Sequence, residues 1–93
     1  MILSFRSKET EGIWHGEVSR RLPPAIQHTA RRKLRMLNNA RNLNDLRVPP
    51  ANRLEALKRD RKGQHAIRIN DQWRTCFTST DAGPANVEIV DYH

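Results

Sequence analysis

A single cysteine, Cys76, among 93 residues excludes an internal disulfide framework and fits a reducing compartment. No apolar run approaches the roughly 20 residues that a membrane-spanning helix needs. The opening Met1-Ile2-Leu3-Ser4-Phe5-Arg6 is too short and too soon charged for a secretory leader, so a cytoplasmic protein is expected. The four histidines, His15, His28, His65 and His93, are scattered, with no paired spacing and no Cys-x-x-Cys. No zinc site, and no metal or other cofactor, is therefore expected. The chain has no glycine-rich phosphate loop, no repeat, no low-complexity tract and no linker. Acidic residues are also few: 10, against 17 Lys plus Arg, for a formal charge of +7. So large an excess on one small domain, expected to span 1–93, suits a nucleic acid or another anionic surface.

What is present divides into helices first and strands later. Ile2 to Phe5 reads as a short strand. Ser7 is a candidate cap for a helix ending at Trp14 or His15, with Gly16 as its stop and Ile13 and Trp14 as its anchors. Pro23 and Pro24 open a main helix to about Arg41. Its residues Ile26, Ala30, Leu34, Leu37 and Ala40 stack on one face, and Gln27, Arg31, Arg35, Asn38 and Asn39 lie largely off it. The stripe is narrow, as in a helix that covers a sheet. Asn42 caps a short turn carrying Leu43 and Leu46, and Pro49-Pro50 predicts an extended approach.

Strands are then expected over Arg53–Leu57, Gln64–Ile69, Gln72–Ser79 and from Val87 to the end. The charged turn Lys58-Arg59-Asp60-Arg61-Lys62-Gly63, the pair Asn70-Asp71, and Asp81-Ala82-Gly83-Pro84 separate them. Short turns make these strands an antiparallel meander, and the element order predicts an α+β fold with helices on one face.

Alternation places His65, Ile67, Ile69, Trp73 and Phe77 on one face, and Gln64, Ala66, Arg68, Arg74 and Cys76 on the other. If helices cover the first face, Arg68 and Arg74 floor the open one. Lys58, Arg59, Arg61 and Lys62 rim it, a fair trough for phosphate. Arginine on an open sheet face also serves solubility; Arg74, following a buried Trp73, is the better candidate for function. Cys76 reads as a small filler, and His65 as a core histidine. The terminal Asp91-Tyr92-His93 gathers carboxyl, phenol and imidazole at one sheet end. In an ideal strand Asp91 and His93 share one face and Tyr92 takes the other, with Val90 and Glu88. Tyr92 then also reads as an aromatic cap, and His93 as a solvated terminus.

The segments Asn52-Arg53-Leu54-Glu55-Ala56-Leu57-Lys58, Ile67-Arg68-Ile69-Asn70-Asp71-Gln72-Trp73-Arg74 and Val87-Glu88-Ile89-Val90-Asp91-Tyr92-His93 together resemble HigB-type toxins, including GraT-like ones, of the RelE/ParE toxin–antitoxin superfamily. The resemblance covers nearly the whole chain. It implies two N-terminal helices on one face of a small curved, mostly antiparallel sheet, RelE-like and microbial-ribonuclease-like. It implies a ribosome-dependent endoribonuclease that cuts messenger RNA in the decoding site. A HigA-like helix-turn-helix antitoxin would neutralise the toxin, and operator DNA would be met indirectly through that partner.

Carried over by position, Lys58, Arg74, Asp91, Tyr92 and His93 match active-site positions; Glu55, Arg59, Arg61, Lys62, Arg68 and Gln72 are candidates for RNA binding. In such chemistry a 2′-hydroxyl attacks the adjacent phosphate. Lys58 and Arg74 suit charge stabilisation, and His93 suits acid or base work. Tyr92 suits stacking or holding the attacking hydroxyl. Asp91 suits orienting His93 or taking a proton. Glu55 stands where some HigB toxins carry histidine. A carboxylate there repels phosphate, so a slower nuclease is expected. Gln72 stands where an asparagine also occurs. Two other readings are a gyrase poison of the ParE kind, against which the terminal Asp-Tyr-His argues, and a basic RNA- or ribosome-binding module without chemistry.

Overall fold

The computed structural model describes residues 1–91; Tyr92 and His93 lie outside the described residues. Two helices are followed by a four-stranded antiparallel meander. Helix α1 spans Lys8–Trp14 and α2 spans Pro24–Asn39. Strands β1 (Glu55–Ala56), β2 (Gln64–Arg68), β3 (Trp73–Thr80) and β4 (Gly83–Asp91) lie in sheet order β1-β2-β3-β4. The expected α+β architecture, with helices on one face, is what the chain forms.

Local chemistry accounts for the helix ends. The Ser7 hydroxyl oxygen accepts the Thr10 amide at 3.2 Å, so α1 starts with a side-chain cap. Gly16, at φ +85°, turns the chain away after His15. Pro24 opens α2 where its missing donor costs nothing. Ile26, Ala30, Leu34 and Leu37 are buried on its inner face, as their spacing requires. Gln27 departs from expectation, being buried as well. Its amide donates to the carbonyls of Ser19 (2.9 Å) and Leu22 (2.8 Å), and its oxygen accepts the Ser19 amide (3.1 Å). A side chain so fully bonded can be buried at little cost, and here it holds the α1–α2 connection against the helix.

The main core lies between the helices and one sheet face. Ile13, Leu34 and Leu37 meet Ile67, Phe77, Val87 and Ile89, with Trp73 and Phe5 packed at its margin. His65 shares this side, half-buried and stacked on Phe77 with ring centroids 6.1 Å apart. Among the described residues its buried Nδ1 meets no hydrogen-bond partner, so it is not the fully satisfied core histidine expected. A second, smaller cluster of Leu57, Ala66 and Cys76, with Val90 against it, lies apart from the first.

The outer edge of β4 is covered by the N-terminus. Phe5 bridges Val87 in parallel, the Val87 amide donates to the Ser4 carbonyl (3.0 Å), and the Arg6 amide donates to the Val87 carbonyl (2.9 Å). Where the chain leaves this edge for α1, the Thr10 hydroxyl takes over and accepts the Ile89 amide at 2.9 Å. An open strand edge is thereby closed off. A Cβ on Gly83 would strike the Met1 carbonyl, so this close approach depends on glycine.

The segment before β1 differs most from expectation. In place of an extended approach, Pro50–Asn52 forms a single 3-10 turn, and Arg53 adopts φ +45°. The strand shrinks to Glu55–Ala56 in place of Arg53–Leu57, with one further ladder bond from the Leu57 amide to the Gln64 carbonyl at 2.9 Å. The cause is Asn52, which is fully buried. Its amide group donates to the Leu46 carbonyl (3.2 Å), and its oxygen accepts from the Lys33 ammonium (2.5 Å). Curling the chain inward satisfies a lysine that α2 places inside. Burial, with Arg32 and Arg68 near by, pushes the Lys33 pKa down from 10.5. Strand β4 also starts earlier than Val87, at Gly83, and a bulge near Asn86 (φ +53°) joins the two stretches.

Asn52→Ala is expected to destabilise by about 2–3 kcal/mol, the usual cost of stranding a buried charged donor, read as a lower denaturation midpoint. Lys33 binds its proton less tightly folded than unfolded. The stability of the wild type relative to Lys33→Met is therefore expected to rise with pH through the lowered pKa and level off above 10.5. A flat difference profile would contradict this.

Candidate nucleic-acid interface

Helices α1 and α2 occupy one side of the sheet, which leaves the other side to solvent and to whatever the protein binds. Pairing orders the open side into two rows. Arg68 pairs with Arg74 across β2 and β3, and Arg74 pairs with Val90 across β3 and β4. The neighbouring row runs Glu55, Ala66, Cys76, Glu88 across all four strands. The rows lie two residues apart along each strand, roughly 7 Å.

Two arginines directly opposite each other repel, and the β2–β3 turn answers that repulsion. The Asp71 carboxylate forms an ion pair with the Arg68 guanidinium. Arg74 Nη1 donates to the carbonyls of Asn70 and, at 3.1 Å, Trp73. The Asn70 side-chain oxygen in turn accepts the amides of Gln72 (2.9 Å) and Trp73 (2.8 Å), which fixes the turn. Asp71 is held below the usual carboxylate range, first by its bond to Arg68 and further by Arg53 and Arg74. Arg53, whose backbone is left-handed at φ +45°, thus belongs to this cluster although no local pattern announced it.

The other expected site residues fall around this centre. Arg68 and Arg74 are half-buried. Lys58, Arg59 and Lys62 are exposed on the β1–β2 turn, with Lys58 one residue beyond Leu57, which packs on Ala66 and Cys76. Arg61 reaches inward, donating to Gln64 Oε1 (3.1 Å) and Glu88 Oε1 (3.5 Å). Glu55 takes its place in the second row. Asp91 pairs with Trp73, which puts it on the helix side of the sheet and not beside Arg74. It stands exposed at the same sheet end, where the Gln72 side chain donates to its Oδ2 at 3.0 Å. Tyr92 and His93 are outside the described residues.

Cys76 lies beneath this face, 1% exposed. Burial raises its thiol above 9.0, so it is a floor and not a nucleophile. Among the described residues, no group of His, Cys, Asp and Glu is placed to hold a metal ion, and no helix is long and apolar enough to cross a membrane.

Two helices on one face of a four-stranded antiparallel sheet, with arginines paired on the other, define a RelE-like toxin architecture. The family model for the RelE-like toxin of type II toxin-antitoxin system HigB matches residues 3–93. The chain is 38% identical over 87 residues to Toxin HigB-1 of Vibrio cholerae serotype O1, covering 92% of each protein. It is also 36% identical over 63 residues to an uncharacterized protein of Haemophilus influenzae, covering 68% of this chain and 62% of that protein. The chain belongs to the HigB-like toxin family of type II toxin–antitoxin systems, and such a toxin implies an antitoxin partner.

Asp71 competes with any anion for Arg68. Asp71→Asn is expected to tighten binding to single-stranded RNA by roughly threefold at low salt, an advantage that shrinks as salt rises. Because Asp71 stays ionised below the ordinary range, the effect should persist unchanged from pH 7 to about pH 5. Filter binding across a salt series checks both statements.

Proposed function

We propose that this protein is a ribosome-dependent messenger RNA endoribonuclease acting in the cytoplasm, with the open sheet face as its substrate surface. The observation that carries the reading is the Arg68–Arg74 pair, two arginines directly opposite each other in the ladder on the side of the sheet away from the main core. Like charges so placed gain from a bound phosphate.

The reaction proceeds by attack of a 2′-hydroxyl on the adjacent phosphate, forming a cyclic phosphate and releasing a 5′-hydroxyl. Arg74 and Lys58 stabilise the charge that develops on the phosphorane oxygens. His93 takes the proton of the 2′-hydroxyl and returns one to the leaving 5′-oxygen, work to which an imidazole is suited. Asp91, steadied by Gln72, orients His93. Tyr92 stacks on a base or holds the attacking hydroxyl. Arg68, Arg59, Arg61 and Lys62 draw in the RNA backbone, and Glu55 and Gln72 contact the nucleotide. A HigA-like helix-turn-helix antitoxin neutralises the toxin, and the pair reaches operator DNA through the antitoxin.

The test adds the protein to translating ribosomes and maps new messenger RNA ends by primer extension. New ends on ribosome-bound message, with free RNA left largely intact, are expected. Rapid cutting of free RNA would contradict ribosome dependence, and no cutting at all would leave a binding module or a gyrase poison. Arg74→Ala should lower cleavage about a hundredfold or more while ribosome affinity changes by only a few-fold. Glu55→His should raise the cleavage rate; an unchanged or lower rate would refute the reading of Glu55 as a brake.

A further inference from the structure

On a face rich in cations, Glu88 is, with Glu55, one of two acids in the second row. It is not a loose surface charge, since its side chain is only 23% exposed and its Oε1 meets Arg61 Nη1 at 3.5 Å. Arg61 sits in the turn entering β2, and Glu88 sits on β4, 27 residues later. Two strand spacings, roughly 9–10 Å, separate those strands. The residues in Glu88's own row between them are Ala66 and Cys76, both small and almost wholly buried. Their low floor lets the arginine reach across the sheet.

The reach has a consequence for the turn. The Arg61 amide donates to the Lys58 carbonyl at 3.3 Å, and the Lys62 amide donates to the Arg59 carbonyl at 3.0 Å. Arg59 takes φ +58°, a conformation that a residue with a side chain holds only when its surroundings impose it. A pair as solvated as Arg61–Glu88 adds little to global stability. What it can fix is the position of the turn.

Building on the nuclease reading, we propose that Glu88 is a positioning residue: through Arg61 it pins the cationic turn of residues 58–63 over the open face and so sets where Lys58 stands. It acts through Arg61 and does not touch the substrate. This proposal and simple electrostatics predict opposite results. Removing a negative charge from an RNA-binding face should, by charge alone, tighten binding and quicken cleavage. Losing a pin should slow cleavage although binding is as tight or tighter.

The experiment compares wild type, Glu88→Gln, Glu88→Asp and Arg61→Lys on messenger RNA held in programmed ribosomes, with backbone amide exchange of residues 58–63 measured on each free protein. For Glu88→Gln we expect kcat to fall about tenfold with KM unchanged or lower, as a displaced catalytic group would cause. Amide exchange in the turn should quicken several-fold while the melting temperature holds. Glu88→Asp should recover part of kcat. Cleavage by Glu88→Gln at or above the wild-type rate, with unchanged exchange in the turn, would overturn the proposal. If the wild type cleaves nothing, the nuclease reading fails by that result alone, and unchanged exchange in Glu88→Gln would separately refute the pin.

Discussion

Alternation along β3 is the constraint on which this protein depends. Trp73, Thr75 and Phe77 turn toward the helices, and Arg74 and Cys76 turn away. A single-residue slip in pairing would carry the aromatic rings into solvent and the arginine into the core. The register is held by what each face must do. Helix α2 closes over Ile67, Phe77 and Val87, so the arginine face has no choice but to stay open. The same burial that folds the chain therefore presents its cations.

Holding those cations at close quarters has costs that the fold meets locally. The Asn70-Asp71 turn supplies a carboxylate for Arg68 and a carbonyl for Arg74, so both guanidinium groups are held in place before any ligand arrives. Such preorganisation favours a surface that must meet phosphate in one geometry. On the far side of the sheet, Lys33 carries a further positive charge inside the protein. Its ammonium donates to the neutral side chain of Asn52, and that contact dictates the curl of the chain ahead of β1. The basic character of the molecule thus shapes its backbone as well as its surface.

Much of this was legible in the amino-acid sequence. The Ser7 cap, the start of α2, the three strand-joining turns and the two faces of β2 and β3 follow from rules that act over a few residues. What was hidden depends on contacts far apart in the chain. Nothing around Asn52 announces that Lys33 will be buried 19 residues earlier, so the short β1 and the turn before it could not be foreseen. Gln27 looked like a surface residue because its partners, Ser19 and Leu22, belong to a loop without a pattern of its own. At the site, Arg68 and Arg74 were identified by alternation alone. Arg53 and Glu88 carried no such signal, because their contacts, Arg53 with Asp71 and Glu88 with Arg61, join residues far apart in the chain. Asp91 was grouped with Arg74 as a site residue, yet its pairing with Trp73 sets it on the opposite side of the sheet.

The central claim is that the helix-free face of the sheet receives RNA. Backbone amide NMR during titration with a short 2′-O-methyl oligonucleotide, which cannot be cut by 2′-hydroxyl attack, tests it most directly. The largest shifts should fall on Arg68, Asp71, Arg74, Val90 and residues 58–63, and weaken together as salt is raised. Shifts confined to α1 and α2, with the arginine rows silent, would contradict the account.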